Sequence, residues 1–250
     1  MVRCPEGTGK PCFFQRHIAR GQSPHLYDTG IQVKGRNEDY MMIKDVKGLI
    51  TLVQWGVIEL HPWGARADKP QLPDRIIFDL DPDPALPFKL VIKGAQDIRN
   101  RMQEFGLKSF VKSTGGKGLH VVVPIERKYG WPVIKDFAKA VAQSMEHDNR
   151  KFYISKSSKL GRKGKIFVDY LRNDLTATAV APFSARAREG APVAVTLTWE
   201  ELSSFKPGQF TIENAMRRLA KLKQDPWKNF SKIKQVLSVS YLKALGIKVL

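Results

Sequence analysis

Apolar residues between positions 75 and 171 follow two different periods. Short apolar runs bounded by turn-forming residues indicate β-strands, the first of which ends at Pro82. Apolar positions spaced three and four residues apart indicate two amphipathic helices. The predicted order is strand 75–81, helix 89–105, strands 109–112 and 119–125, helix 131–147, and strands 152–154 and 166–171. This order is typical of a split βαβ sheet with both helices on one face.

The regions on either side of this block are predicted to contain shorter elements. In the C-terminal part, Thr198 and Glu201 have the spacing of a helix capping box. Strand-like runs occur at 30–33, 40–43, 57–61 and 193–197, a helix is predicted over 212–222, the last 25 residues are predicted to be helical, and residues 49–55 fit either a strand or a short helix. We therefore expect one α+β domain with an N-terminal β-rich module (1–74), a central module (75–190) that contains the candidate catalytic residues described below, and a C-terminal helical extension (191–250).

Basic residues outnumber acidic ones throughout the chain. Its 250 residues include 42 Lys and Arg against 24 Asp and Glu, which gives a formal net charge of +18. Such a surplus repels itself, so nucleic acid is the expected partner, although a basic protein without a polyanionic partner has the same composition. No run of about 18 apolar residues is present, so no membrane segment is predicted.

Two cysteines, Cys4 and Cys12, are too few for a disulfide framework in a chain of this size. They predict free thiols in a reducing cytosol. Together with His17 and His25 they include the ligand types of a zinc site, but seven residues separate the members of each pair. Zinc modules use tighter pairs, so ordinary thiols and surface histidines are the favoured interpretation.

Three aspartates lie in predicted strands. Asp79 and Asp81 are two residues apart on one strand, so both carboxylates lie on the same face and suit Mg²⁺ or Mn²⁺. Asp169 interrupts an apolar run and needs a partner, because an unpaired buried charge is costly. As a third ligand it would complete a site for two ions. The alternatives are a solvated strand end and, for Asp169, an ion pair with Arg172 or another basic residue. A phosphatase nucleophile of the haloacid-dehalogenase type is disfavoured, because that class needs a doubly wound parallel sheet and a later acidic pair.

The segment 112–120, Lys-Ser-Thr-Gly-Gly-Lys-Gly-Leu-His, has the composition of a phosphate-binding turn. Its glycines let backbone amides converge on phosphate oxygens, while the hydroxyls of Ser113 and Thr114 add donors. Lys117 and His120 add positive charge. The spacing differs from that of a P-loop, and a strand rather than a helix follows. A tight hairpin without a ligand is the alternative.

Further basic and aromatic residues frame these candidates. Loop 155–165 contains five Lys or Arg residues and suits a nucleic-acid backbone, although a solvated loop has the same composition. Guanidinium groups at Arg172, Arg186 and Arg188 suit bidentate phosphate contacts. Phe14 follows another phenylalanine, so on a strand one of the two rings faces outward, where it can stack on a base.

Six motifs, in order over about residues 1–205, resemble the polymerase domain of bacterial ligase D, a member of the archaeo-eukaryotic primase superfamily. They are Phe13-Phe14-Gln15, Leu60-His61-Pro62-Trp63, Phe78-Asp79-Leu80-Asp81-Pro82, Ser113-Thr114-Gly115-Gly116-Lys117-Gly118-Leu119-His120, Val168-Asp169-Tyr170-Leu171-Arg172-Asn173 and Ala181-Pro182-Phe183-Ser184-Ala185-Arg186. The resemblance implies a primase-polymerase fold with an RRM-like catalytic sheet. It also implies a template-directed nucleotidyltransferase that fills or extends DNA ends in non-homologous end joining.

The resemblance also implies roles for individual residues. Two Mn²⁺ or Mg²⁺ ions would be held by Asp79, Asp81 and Asp169. The incoming NTP or dNTP would contact Thr114, Lys117 and His120, with Ser113 a neighbouring candidate, and the nucleotide site would also include His61, Arg186 and Arg172. Near the template, Phe14 would stack on a base and Arg162 would position the strand.

The same resemblance sets expectations about partners and rivals. Family members normally carry several dozen residues before the Phe-Phe-Gln motif, including lysines that grip a 5′ phosphate, so the N-terminal module is expected to be truncated. The chain is expected to bind DNA ends or gapped DNA in the cytoplasm, at the nucleoid. A separate ligase is expected to seal the ends, and a Ku-like protein to bind them. The alternative functions are a primer-independent primase, a catalytically silent DNA-end-binding module and a metal-dependent nuclease.

Overall fold

The computed structural model describes residues 1–17, 23–33 and 35–249. Its first part consists of short strands and one helix. These elements are β1 (Val2–Arg3), β2 (Phe13–Phe14), β3 (Tyr27–Asp28), β4 (Ile31–Val33), β5 (Arg36–Glu38), β6 (Met41–Met42), α1 (Val46–Gln54) and β7 (Val57–Glu59). Strand β1 lies between β2 and β7 in an antiparallel sheet, while β3 pairs with β6 and β4 pairs with β5.

Helix α1 resolves the ambiguity over residues 49–55 in favour of a helix. Asp45 caps its N-terminus, because the carboxylate accepts a hydrogen bond of 3.0 Å from the Gly48 amide. Leu52 and Thr51 are buried on its inner side. The helix therefore packs one face against the neighbouring strands.

Cys4 and Cys12 form a disulfide, so the expectation of two free thiols is wrong. Arg3 pairs with Phe13 across β1 and β2, so Cys4, which follows Arg3, lies opposite Cys12, which precedes Phe13. The Cα atoms of Cys4 and Cys12 lie 4.5 Å apart, within the range that a disulfide spans. The pairing depends on the register of two-residue strands, which the number of cysteines does not show.

The central sheet has six strands. Its elements, in chain order, are β8 (Arg75–Pro82), α2 (Phe88–Glu104), β9 (Phe110–Ser113), β10 (Leu119–Pro124), α3 (Trp131–Asp148), β11 (Tyr153–Ile154), β12 (Ile166–Asp169) and β13 (Thr196–Leu197). The spatial order is β11-β12-β8-β10-β9-β13, with β11 parallel to β12 and all other neighbours antiparallel. The order β12-β8-β10-β9 is the split βαβ arrangement that the sequence predicts.

The main hydrophobic core lies between this sheet and helices α2 and α3. Alternate residues of β8, namely Ile76, Phe78 and Leu80, are fully buried against the helices. Helix α2 contributes Val91, Ile98 and Met102, and α3 contributes Ile134, Phe137, Val141 and Met145. The intervening residues of the strands face the opposite side, where the candidate site lies.

The C-terminal part contains less helix than predicted. Helix α4 (Ile212–Lys221) is present, but within the described residues 226–249 only a 3-10 turn (Phe230–Lys232) and α5 (Val239–Ala244) form. Trp227 donates from its indole nitrogen to the Val111 carbonyl at 2.9 Å, and the amide of Glu126 donates to the Gln235 carbonyl at 2.9 Å. These tertiary contacts hold the segment against the sheet in place of intrahelical bonds.

The predicted capping box is present: Thr198 and Glu201 exchange reciprocal hydrogen bonds of 2.9 and 3.1 Å. It begins only a 3-10 turn, Glu201–Ser203. In the described ranges 1–17, 23–33 and 35–249, every helix is too short or too polar to cross a bilayer.

Candidate active site

A cleft of about 990 Å³ opens on the sheet face away from α2 and α3. Its walls come from β8, from the turn between β9 and β10, from residues 178–192 and from the N-terminal part of the chain. The predicted site residues that line it are Phe14, His61, Asp79, Asp81, Thr114, Lys117, His120, Arg172 and Arg186.

Strand register brings the three aspartates together. Asp169 on β12 is the direct cross-strand partner of Asp79 on β8, and Asp81 lies two residues further along β8. Directly opposed residues in an antiparallel pair share a face, as do residues two apart on one strand. The three aspartates therefore lie on the same face of the sheet, although they come from two distant chain segments.

Arginines occupy the space between these carboxylates. Arg172 lies 3.1 Å from Oδ2 of Asp79 and 3.2 Å from Oδ2 of Asp169, while Arg162 lies 3.2 Å from Oδ2 of Asp81. In the part of the chain that the structure describes, no three Asp, Glu, His or Cys side chains are arranged closely enough to coordinate a metal ion as they stand. The donor set nevertheless fits a divalent cation, because three hard carboxylates share one face.

The carboxylates respond differently to their surroundings. Burial raises the pKa of Asp81, and the charge of Asp79 raises it further, against the opposing charge of Arg162. Burial also raises the pKa of Asp169, against the charge of Arg172. Burial acts upward on Asp79 as well, but His120, Arg172 and Lys112 hold its pKa well below the ordinary value. Additional positive charge nearby would therefore favour the ionised forms of Asp81 and Asp169.

His120 and Lys112 lie deeper in the same face. They are cross-strand partners on β10 and β9, and both side chains are buried. Nε2 of His120 lies 3.4 Å from Oδ1 of Asp79, and burial together with the charge of Lys112 lowers the pKa of the imidazole to about 4. Burial lowers the pKa of Lys112 to about 7. His120 is therefore neutral at neutral pH and contacts a carboxylate.

The glycine-rich turn is closed by its own contacts. Thr114 donates from its hydroxyl to the Gly118 carbonyl at 3.1 Å, and Lys117 donates to the Pro84 carbonyl at 3.0 Å. Gly115 has a positive φ of 70°, which side-chain-bearing residues rarely adopt. Ser113 lies outside the cleft wall, because its buried hydroxyl accepts a hydrogen bond of 2.9 Å from the Val195 amide. That contact uses the hydroxyl to hold β9 against the residue that precedes β13.

The predicted template contacts differ in their surroundings. Phe14 is 74% exposed, and its ring lies 6.1 Å from the ring of His61 in an edge-on arrangement. Arg162 folds back onto its own loop and stacks 3.9 Å from the Phe167 ring, besides contacting Asp81. Phe14 is thus free to stack on a base, whereas Arg162 would have to leave Asp81 to reach a template strand.

Comparison with known proteins identifies the family. The sequence profile described as "LigD, primase-polymerase domain" matches residues 1–227 of this chain. The chain belongs to the LigD primase-polymerase domain family. It is 39% identical over 248 residues to the Multifunctional non-homologous end joining protein LigD of Pseudomonas aeruginosa, covering 98% of this chain and 30% of that protein.

Other relatives agree with this assignment. A LigD protein of Mycobacterium tuberculosis, named as a multifunctional non-homologous end joining DNA repair protein, is 29% identical over 227 residues. That match covers 88% of this chain and 30% of the relative. The chain thus spans about a third of the length of these LigD proteins.

A solved structure has the same fold. It is described as the "Polymerase Domain from Mycobacterium tuberculosis Ligase D in complex with DNA". The match has a TM-score of 0.83 at 26% sequence identity and covers 92% of this chain and 83% of the other. The expected primase-polymerase fold is therefore confirmed for this LigD family member.

One buried residue of this LigD-type cleft was missed in the sequence. Glu59 on β7 contacts His61, Arg186 and the Ala187 amide from behind the cleft wall. The sequence does contain one indication of this contact: Glu59 and His61 are two residues apart in a predicted strand, so their side chains share a face. Its partners in the Arg186 region lie more than 120 residues away, which the sequence pattern alone does not reveal.

Proposed function

We propose that this chain is a template-directed nucleotidyltransferase that extends or fills DNA ends in non-homologous end joining. The observation that carries the proposal is that Asp79 and Asp81 line one cleft together with a glycine-rich turn, while Asp169 lies opposite Asp79 on the neighbouring strand. Carboxylates on one sheet face beside a candidate phosphate-binding turn suit phosphoryl transfer to a nucleophile in the same cleft. The names of the LigD relatives and the DNA in the solved structure support the same conclusion.

In this proposal Asp79, Asp81 and Asp169 hold two Mn²⁺ or Mg²⁺ ions. When bound, the ions would lower the pKa of the primer 3′ hydroxyl and neutralise charge on the triphosphate. The guanidinium groups of Arg172 and Arg186 would hold phosphate oxygens, together with Thr114 and Lys117 in the glycine-rich turn. Phe14 would stack on a template base, and Arg162 would contact the template backbone.

The proposed partners follow from charge and from the relatives. A net charge of +18 favours DNA ends or gapped DNA as the polyanion, with NTP or dNTP as the second substrate. The chain spans only about a third of its LigD relatives. In this proposal a ligase activity outside these 250 residues seals the ends, and a Ku-like protein holds them at the nucleoid.

Primer extension on gapped DNA tests the proposal. The assay supplies Mn²⁺ with ribo- or deoxynucleotides, with and without a downstream 5′ phosphate, and compares Asp81→Asn with Asp83→Asn. Asp83 is a matched control, because its carboxylate accepts hydrogen bonds of 2.8 and 3.1 Å from the amides of Ala85 and Gly164. We expect Asp81→Asn to lower extension by at least about a thousandfold while DNA affinity stays within about twofold. Asp83→Asn is expected to retain extension.

Each rival function gives a different result in this assay. Unchanged extension by Asp81→Asn would remove the metal assignment. DNA binding without any nucleotide incorporation by the wild-type protein would indicate a silent end-binding module. Products formed without a primer would indicate a primase, and shortened DNA would indicate a nuclease.

A further inference from the structure

Glu59 is a buried carboxylate that has two hydrogen-bond partners and forms an ion pair with one guanidinium group. Glu59 is only 5% exposed, and its Oε2 lies 2.7 Å from Nε2 of His61 and 3.0 Å from Nε of Arg186. Oε1 accepts a hydrogen bond of 2.8 Å from the Ala187 amide. Burial acts to raise the pKa of Glu59, but the bonds from His61 and Ala187 and the charge of Arg186 lower it to about 2. The carboxylate is therefore ionised at neutral pH.

This contact fixes the chemistry of His61. An ionised carboxylate can only accept hydrogen bonds, so Nε2 of His61 must carry a proton. In the neutral imidazole, Nδ1 then has a lone pair. His61 lines the cleft, so its ring presents a defined tautomer to a bound nucleotide.

The same carboxylate orients Arg186. Nε of Arg186 contacts Glu59, while Nη1 donates a hydrogen bond of 2.7 Å to the Thr114 carbonyl in the glycine-rich turn. A Cβ at Gly115 would lie 2.7 Å from Cγ of Arg186, so the arginine passes directly over that glycine. Glu59 thus links β7 to the glycine-rich turn through a single arginine.

We propose that Glu59 is a positioning residue of the nucleotide site, acting through the orientation of His61 and Arg186. It lies behind the cleft wall, so it would set the geometry of the groups that touch the nucleotide. The proposal rests on the proposed function in one respect, namely that the cleft binds a nucleoside triphosphate. Because Glu59 already holds His61 and Arg186 in place, these two side chains need not rearrange when the triphosphate enters.

The test compares Glu59→Gln and Glu59→Asp with Glu201→Gln. Glu201 is a matched control, since its carboxylate also contacts an arginine, Arg218, at 2.6 Å and a backbone amide, that of Thr198, at 2.9 Å. Equilibrium binding of a ribonucleoside triphosphate with Mn²⁺ is measured alongside KM and kcat for primer extension. All proteins are assayed at a temperature where circular dichroism shows them to be folded.

We expect Glu59→Gln to weaken triphosphate binding and to raise KM by about tenfold, with a smaller change in kcat. DNA affinity should not change. Glu59→Asp keeps the charge and should restore part of the binding, whereas Glu201→Gln should bind the triphosphate like the wild-type protein. Equal triphosphate affinity in folded Glu59→Gln and in the wild-type protein would overturn the proposal.

A double-mutant cycle with His61→Ala shows whether Glu59 acts through its partner. The effect of Glu59→Gln on triphosphate affinity should shrink in the His61→Ala background, and fully additive effects would overturn the proposal. The ¹⁵N chemical shifts of His61 provide a readout independent of activity, since they should report the Nε2-protonated tautomer in the wild-type protein.

The two proposals fail in different ways. A wild-type protein that binds the triphosphate but adds no nucleotide would refute the polymerase while the binding series still decides the role of Glu59. A wild-type protein that binds no triphosphate would overturn the role of Glu59 as well.

Discussion

The two faces of the six-stranded sheet are built from alternate residues of the same strands, yet they hold opposite chemistry. On β8, Ile76, Phe78 and Leu80 face the helices and are fully buried, while Asp79 and Asp81 face the cleft. The helix-covered face is apolar and closed. The cleft face holds several charged groups that contact one another. The comparison shows that stability and function are placed on separate faces, so substitutions on the two faces should change different measurements.

The cleft face is itself divided along the strands. Near Asp79 it is polar and open, but Ile77 and Val122 further along are covered by Trp227, with Phe230 stacked 4.8 Å from the Trp227 ring. Asn173 donates to the Ile77 carbonyl and accepts from the Ile77 amide, both at 2.8 Å, close to this boundary. The chain from 225 to 237 therefore closes one half of a face whose other half stays accessible to a substrate.

The largest effect on stability is expected on the helix-covered face. Phe78→Ala removes a fully buried ring and leaves a cavity, so the free energy of unfolding should fall by about 3–5 kcal/mol. Urea denaturation followed by circular dichroism measures it. Leu160→Ala, at a side chain that is 88% exposed, is the control and should change stability by less than about 0.5 kcal/mol. Similar losses for both variants would contradict the division between the faces.

The covered half of the cleft face should behave like a core. Trp227→Ala removes a large buried ring and leaves the Val111 carbonyl without its indole donor, so we expect a loss of about 3 kcal/mol. Trp227→Phe keeps a ring but not the donor and should lose about 1 kcal/mol. Denaturation curves for both variants give these values. A change in triphosphate affinity without loss of stability would show that this half belongs to the site.

Much of the fold follows from local periodicity. Helices α2 and α3 begin and end within one residue of the predicted bounds, because their apolar stripes face one sheet. Residues 226–249 were predicted to be helical, but most of them are not. Trp227 and Gln235 donate hydrogen bonds to the sheet and to the loops beside it, and such tertiary contacts override helix propensity.

The candidate site was predictable where one strand carries the signal. Asp79 and Asp81 share a face through a period of two, which the sequence shows directly. The position of Asp169 opposite Asp79 depends on the pairing of β12 with β8. Periodicity does not show this pairing, whereas the resemblance to the ligase D family implies that the three aspartates share one site. Glu59 and the disulfide were missed because both depend on contacts that form only after the strands have paired.

Acid should expose the contribution of Glu59 to stability. Its pKa is lowered from 4.5 to about 2, so the stabilisation is complete above pH of about 4.5 and is lost as the pH falls towards 2. The shift corresponds to roughly 3 kcal/mol. Unfolding free energies of the wild-type protein and Glu59→Gln, measured between pH 7 and pH 3, should therefore converge as the pH falls. A constant difference over this range would show that Glu59 does not titrate as its contacts require.

The smallest effect is expected in the basic loop on the open side of the cleft. Arg162 contacts Asp81 at the surface, and exposed ion pairs contribute little, so Arg162→Ala should change stability by less than about 1 kcal/mol. If Arg162 reaches one template phosphate, the variant should bind DNA more weakly and lower the slope of log affinity against log salt by about 1. Fluorescence anisotropy at several salt concentrations measures this slope. Leu160→Ala in the same loop has no charge to lose and should leave the slope unchanged, whereas an unchanged slope for Arg162→Ala would mean that the arginine serves Asp81 and not the template.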